Sequence, residues 1–199
     1  VNGKMLRAAR ISDVAEMAQF INSFAQRNLM LPRPLNRMYE NLRDYVVVEE
    51  DGKVVGCGAL HILWYDLAEI RSVAVREGFQ HRGYGKAILN SLLDDARKLG
   101  VHQVFMLVLP DGAMARLARK SGFREVSKDE LPHKVWSDCL NCPKFTECDE
   151  IALIAEVGPK IESPHQWSSV MSAYVRRGGD ADSVAIPLDI PKPSPEKTR

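Results

Sequence analysis

No apolar run in these 199 residues is long enough to cross a bilayer: the longest, such as Val101 to Leu109, falls well short of the roughly 20 residues that a spanning helix needs. Neither sign of charge predominates. With 27 basic and 26 acidic residues the formal net charge is +1, so no chain-wide field would gather nucleic acid or an anionic membrane, and small-molecule partners are the expectation that remains. No basic segment followed by an apolar stretch opens the chain, which reads as cytoplasmic, with Val1 to Lys4 a leader ahead of a natural start at Met5. Cysteine is scarce: four in a chain of this size make no disulfide framework and agree with a reducing compartment. Two phosphate-binding signatures are missing as well. There is no Gly-x-Gly-x-x-Gly after a first strand and no Gly-Lys-Ser/Thr, which excludes the usual dinucleotide fold and the nucleoside-triphosphate loop. No internal repeat is visible.

What is there is a strand, a glycine turn and an amphipathic helix in direct succession, from Asp66 to Leu99. The strand Leu67 to Val75 is rich in β-branched residues yet carries Glu69, Arg71 and Ser72, polar side chains that a buried strand holds only with partners. Gln80-His81-Arg82-Gly83-Tyr84-Gly85-Lys86 follows, with two glycines where a helix must begin. Backbone N–H groups there can point outward without Cβ atoms in the way, which makes the turn an anion cradle. The helix then sets Ile88, Leu89, Leu92, Leu93, Ala96 and Leu99 on one stripe and ends at Gly100.

The rest of the chain reads as scaffold. Leu6 to Ala9 forms a short strand, and Asp13 with Glu16 forms a capping box for a helix bearing Val14, Met17, Ala18, Ile21, Phe24 and Ala25 at helical spacing. Pro32 and Pro34 break that helix and stiffen the loop that carries Arg33. A helix over Leu35 to Leu42 precedes the strand Tyr45 to Glu49, the Asp51-Gly52 turn of type I′ and the strand Lys53 to Leu63, where Gly56 and Gly58 suggest a bulge. Gln103 to Leu109 is a strand, Ala113 to Lys120 a helix, and Phe123 to Val126 and Ile151 to Glu156 are strands. The expected class is α/β (α+β), with a mixed, mostly antiparallel sheet that turns parallel around the glycine turn and is flanked by helices. The domain is expected over residues 1–157. From residue 158 to 199 proline, serine and charge accumulate, giving a tail with one transient helix near Ser168 to Arg176.

Gln/Arg-x-x-Gly-x-Gly after Ala68-Glu69-Ile70…Val73-Ala74-Val75 resembles the acetyl-coenzyme A signature of the GCN5-related N-acetyltransferase (GNAT) superfamily. The resemblance implies that superfamily's fold, a sheet splayed at the coenzyme site, and acetyl-CoA as co-substrate. It places Val73, Val75, Gln80, His81, Arg82, Gly83, Tyr84, Gly85 and Lys86 around the coenzyme. Acetyl transfer to an amine needs the free amine, so a base within reach is valuable; each pH unit of mismatch costs about 1.4 kcal/mol. By resemblance Glu69 is the candidate base and the backbone N–H of Val73 the donor for the developing oxyanion. The other reading of Glu69 is a structural pair with Arg71. The superfamily's usual thiolate acid is a tyrosine just before Gly122-Phe123; the helix turn here reads Leu117-Ala118-Arg119-Lys120-Ser121, so that role is unassigned.

Over Met5 to about Val157 the chain further resembles the acetyltransferase domain of short bacterial N-acetylglutamate synthases, through Leu31-Pro32-Arg33-Pro34-Leu35, Gly56-Cys57-Gly58-Ala59-Leu60, Ala68 to Val75 and Glu130-Leu131-Pro132. That resemblance implies acetylation of the α-amine of L-glutamate as the first step of arginine biosynthesis, with Arg33 and Lys144 on substrate carboxylates. A dicarboxylate calls for fixed cations, which Arg71 beside Ser72 also suits. Arginines that merely cover a helix edge are the other reading. Cys139-x-x-Cys142 with Cys148 has metal-like spacing, and with His133 or Asp149 it would close a structural zinc site; reduced cysteines packed in a loop are the alternative. Two rival functions stay open: acetylation of another amine, including a protein N-terminus, and a non-catalytic coenzyme- or metal-binding module. A homodimer is left open.

Overall fold

A computed structural model describes residues 3–131, 139–140, 142, 144–160 and 162. These belong to a compact unit over Val1–Glu162; a second unit, Ser163–Arg199, lies outside the described residues, and with it the expected helix near Ser168. The strands are β1 (Lys4–Ala8), β2 (Tyr45–Glu50), β3 (Lys53–Ile62), β4 (Leu67–Val75), β5 (Gln103–Val108), β6 (Arg124–Val126) and β7 (Ile151–Glu156). The helices are α1 (Val14–Ala25), α2 (Leu35–Glu40), α3 (Tyr84–Lys98) and α4 (Ala113–Lys120).

The seven strands form one sheet in the order β1-β2-β3-β4-β5-β7-β6. Among the described residues β4 and β5 pair in parallel and the other strand pairs are antiparallel, as the pattern of hairpin and helix connections predicts. The type I′ reading of the β2–β3 turn holds, with positive φ at both Asp51 (51°) and Gly52 (77°). Among the described residues no helix is long and apolar enough to cross a membrane.

Both faces of the sheet are covered. Ile88, Leu89 and Leu92 of α3 pack with Val55, Ile70 and Val104 on one face, while Met17, Ile21 and Phe24 of α1 pack with Val47, Cys57 and Ala59 on the other. Fully burying each such side chain stabilises the fold by roughly 1.5–3 kcal/mol. Leu99 departs from the expected stripe: α3 ends at Lys98 and Leu99 is 65% exposed. Asp13 also departs from expectation. It makes no side-chain cap bond to α1. Its carboxylate is engaged by Arg7, at 2.7 Å from Nη1, and accepts the N–H of Arg10 at 2.7 Å, while Glu16 is drawn to Arg76 Nη2 at 2.8 Å. A guanidinium brings a full opposite charge and, at Asp13, two donors, which a single helix-start amide does not.

Two features of the sheet create the site. Pairing of β4 with β5 stops at Glu69↔Phe105, so beyond that point the two strands part. On the opposite side of β4, Cys57 pairs with Ala74 and Ala59 with Arg71, leaving Ser72 and Val73 against the single residue Gly58. This is a β-bulge, and Ser72 takes a left-handed φ of 56° to make it. Gly58 is required by close approach: a Cβ there would lie 2.6 Å from Ile88 Cγ2 and 3.1 Å from Leu92 Cδ1. Glycine lets α3 sit directly on the bulged strands.

Candidate active site

The glycine turn behaves as its composition requires. Gly83 has φ +84°, a conformation costly to any side chain, and nearby His81 also has a positive φ of 62°. Gly83 caps α3 without a side-chain bond, and the first helical amide to find a backbone acceptor is that of Ala87, 3.0 Å from Gly83 O. The amides of Tyr84, Gly85 and Lys86 precede it, and the positive end of the helix dipole adds to their attraction for an anion.

From this turn a cavity of about 290 Å³ runs along the parted strand. Gln80, His81, Gly83, Tyr84 and Gly85 line its outer end, Val73, Ala74 and Val75 one wall, and Ala113, Met114 and Leu117 of α4 another. A mouth of helix-start amides leading into a mostly apolar cavity has the chemistry to take a diphosphate bearing a long, weakly polar arm. A second cavity of about 360 Å³ lies beyond Val73 and contains Arg33, Glu69, Arg71, Ser72, Met106 to Leu109 and Glu150. Val73, Leu29, Met30, Ala113 and Met114 line both, so the two cavities meet at the bulge.

Most of the expected site residues converge here. Glu69 and Arg71 lie on the same face of β4, with Arg71 Nη1 3.5 Å from Glu69 Oε2 and their side chains only 14% and 11% exposed. Arg33 donates from Nε to Ser72 Oγ at 3.0 Å. Its backbone is held by Asn22, whose Oδ1 accepts the Arg33 N–H at 2.9 Å and whose Nδ2 donates to the Arg33 carbonyl at 3.2 Å. The proline loop is therefore anchored to α1 at the residue that bears the cation. Buried Tyr45 lies beneath the group: burial pushes its phenol up, while a hydrogen bond with Ser72 and the charges of Arg33 and Arg71 oppose that shift. Cys57 donates its thiol to the Ser72 carbonyl at 3.6 Å, a further tie on the bulge, and burial pushes that thiol up.

Other expected residues lie elsewhere. Arg82 does not line the cavity: it donates to the Gly78 carbonyl at 2.9 Å, approaches Glu50 at 3.4 Å and stacks on Phe79. Lys86 is exposed in the first turn of α3, while Gln80, which does line the cavity, donates back to the Val75 carbonyl at 3.2 Å. Lys144 is absent from the lining of either cavity; its Nζ is 3.5 Å from Asp149 Oδ1.

The zinc expectation is not supported. Among the described residues no group of three or more His, Cys, Asp or Glu side chains is disposed to hold a metal ion, and Cys139, Cys142 and Cys148 are free. Cys148 Sγ accepts from Lys128 Nζ at 3.0 Å and Cys142 Sγ from the Lys144 N–H at 3.4 Å, and burial pushes the Cys139 thiol up, with the neighbouring Cys148 and Cys142 adding to that. His133 lies outside the described residues.

Sequence reasoning missed Met30, Met114, Tyr45 and Glu150. Met114 had a signal, since Ala115 and Ala118 take the core side of α4 and leave Met114 and Leu117 on the flank. Glu150 had only its position as an acidic residue directly before an apolar strand.

Comparison with known proteins agrees with this geometry. The profile of the acetyltransferase (GNAT) family matches residues 13–123. An uncharacterized N-acetyltransferase of Chlorobaculum tepidum is 36% identical over 149 residues, 75% of this chain and 94% of that protein. An amino-acid acetyltransferase of Mycobacterium tuberculosis is 38% identical over 137 residues, covering 67% of this chain and 76% of the relative. A solved Mycobacterium tuberculosis structure in complex with CoA superimposes with a TM-score of 0.64 at 30% identity over 76% of this chain and 98% of the other. The N-acetylglutamate synthase of Neisseria gonorrhoeae, solved with coenzyme A and N-acetyl-glutamate, shares the fold at TM-score 0.70 and 24% identity; the match spans 80% of this chain but 36% of that one.

Proposed function

The chain belongs to the acetyltransferase (GNAT) family, and from that premise we propose that it transfers the acetyl group of acetyl-CoA to the α-amine of L-glutamate, as an amino-acid N-acetyltransferase. The observation that carries this reading is the junction at Val73. A throat leading from the glycine turn and a cavity holding two arginines and two carboxylates share that residue as a wall. Relatives named amino-acid acetyltransferases support an amino acid as acceptor. Working in the cytoplasm, where acetyl-CoA and free amino acids occur together, fits the same reading, as does a role at the start of arginine biosynthesis.

The chemistry follows from the side chains in hand. The amides at the start of α3, around Gly83 and Gly85, hold the coenzyme's diphosphate, and Val73 to Val75 with Met114 and Leu117 flank its arm. When bound, acetyl-CoA supplies a thioester whose acetyl carbon is open to attack. The N–H of Val73, freed from strand pairing by the bulge, serves as donor to the carbonyl oxygen as charge develops there. Glu69 takes the proton of the attacking amine, directly or through water, with Arg71 beside it as orienting partner. Arg33, fixed through Asn22 and Ser72, presents the guanidinium fork to an acceptor carboxylate. The acceptor amine forms the new N–C bond as the C–S bond breaks, so no acyl group is carried by the protein. A thiolate leaves readily at a pKa near 8.5 and takes its proton from water, which fits the missing tyrosine.

The test is thiol release from acetyl-CoA with a panel of free amino acids. L-Glutamate is expected to give the highest kcat/KM; turnover without preference for glutamate, or none with any amino acid, would overturn the reading.

A further inference from the structure

One charged group in the acceptor cavity has no part in the mechanism above. Glu150 stands directly before β7, is half-buried, and lines the cavity together with Arg33, Glu69, Arg71 and Ser72. The charged groups that face it come from several elements: Arg33 from the α1–α2 loop, Lys128 from the turn after β6, and Lys144 and Asp149 from its own segment. Glu69 and Arg71 of β4 share the cavity with it.

The charge balance of this cavity is informative. Its four charged lining side chains, Arg33, Arg71, Glu69 and Glu150, sum to zero when all are ionised. An α-amino dicarboxylate, with its amine deprotonated for attack, adds two negative charges to that half-buried space; the amide isostere of the same length adds one. Like charges in a partly buried site repel strongly enough to decide between such ligands.

We propose that Glu150 sets the charge of the acceptor this cavity admits: ionised, it opposes the second carboxylate of a dicarboxylic amino acid, and protonated, it donates a hydrogen bond to that carboxylate. Acceptor selectivity is then tuned by pH through one carboxyl group. The environment makes such tuning practicable, because burial holds the Glu150 carboxyl above its ordinary value, Asp149 adds to that, and Lys128, Lys144 and Arg33 oppose it. Binding of the dicarboxylate takes up a proton at Glu150, so its KM rises with pH, whereas KM for the amide isostere, which lacks the second carboxylate, does not follow.

The inference rests on the amino-acid acceptor proposed above, and the experiment separates the two. KM values for L-glutamate and L-glutamine are measured from about pH 5 to 8 at saturating acetyl-CoA, for the unaltered protein, Glu150→Gln and Glu150→Asp. The ratio of the glutamate KM to the glutamine KM is expected to climb on the order of 10-fold across that range in the unaltered protein. It should stay flat in Glu150→Gln and climb again in Glu150→Asp, which keeps the charge. Coenzyme affinity should be the same in all three. A ratio that rises equally in Glu150→Gln, or is lost equally in Glu150→Asp, overturns the role of Glu150 while leaving the acetyl transfer intact. No turnover with either amino acid at any pH overturns the acceptor reading and this inference with it.

Discussion

Replacing Gly58 by alanine tests whether the bulge and the helix behind it are mechanically one piece. The added Cβ would stand 2.6 Å from Ile88 Cγ2, 3.1 Å from Leu92 Cδ1 and 3.2 Å from Val73 Cγ2. Neither Ile88 nor Leu92 can turn away, since both are buried in the core at 0% and 1% exposure. The strain must instead part α3 from the sheet or push Val73 toward the cavities. Overpacking of this kind costs about 1–3 kcal/mol. For a chain of this size each kcal/mol lowers Tm by about 2–4 °C, so a fall of roughly 2–12 °C is expected by thermal unfolding. Because α3 begins at the glycine turn and Val73 joins the two cavities, acetyl-CoA should bind more weakly as well. Ile88→Ala removes the clashing Cγ2, so the double variant Gly58→Ala with Ile88→Ala should lose less than the sum of the two single losses. A Gly58→Ala protein with Tm within about 1 °C of the parent and unchanged coenzyme affinity would refute the reasoning.

Gly83→Ala must hold a left-handed φ, at a cost of about 1–2 kcal/mol, and calorimetric titration should show weaker acetyl-CoA binding with acceptor KM little changed. Arg33→Lys loses both the Nε bond to Ser72 and the fork, so acceptor KM is expected to rise on the order of 10-fold while coenzyme affinity stays; equal loss of both would contradict a role on the acceptor side. Asp13 is held below its ordinary value of 3.8, first by the Arg7 hydrogen bond and against the effect of its own burial. Its stabilisation is therefore present above about pH 4 and fades as pH falls through the lowered value. Asp13→Asn should lower Tm at neutral pH, with the gap to the parent closing in acid; a gap that does not change with pH would contradict the ion pair as its source.

The central unit was legible because its local and tertiary demands agree. Glycines at a helix start, a polar triplet inside an apolar strand and helical spacing after Gly83 all describe the same strand, turn and helix, and these appear as β4, the turn and α3. Gly58 announced a bulge, but not that Ser72 on the facing strand would take the left-handed conformation, since the strain falls on the partner. Asp13 with Glu16 read as a capping box because the pattern is local, whereas the Arg7 cluster that claims Asp13 also depends on Glu49, 42 residues away from Arg7. The cavity walls contributed by Met30 and Glu150 carry no periodic signal. They come from loops and strand ends that meet only once the sheet has parted at Glu69.

The proposed mechanism turns on Glu69 as the proton acceptor, and the most direct measurement is the turnover of Glu69→Gln beside its affinity for acetyl-CoA. The expected result is a kcat reduced by on the order of 100-fold or more near neutral pH, with loss regained in part as pH rises and more amine is free, and a coenzyme Kd close to that of the parent. A Glu69→Gln protein that turns over at the parent rate would contradict it.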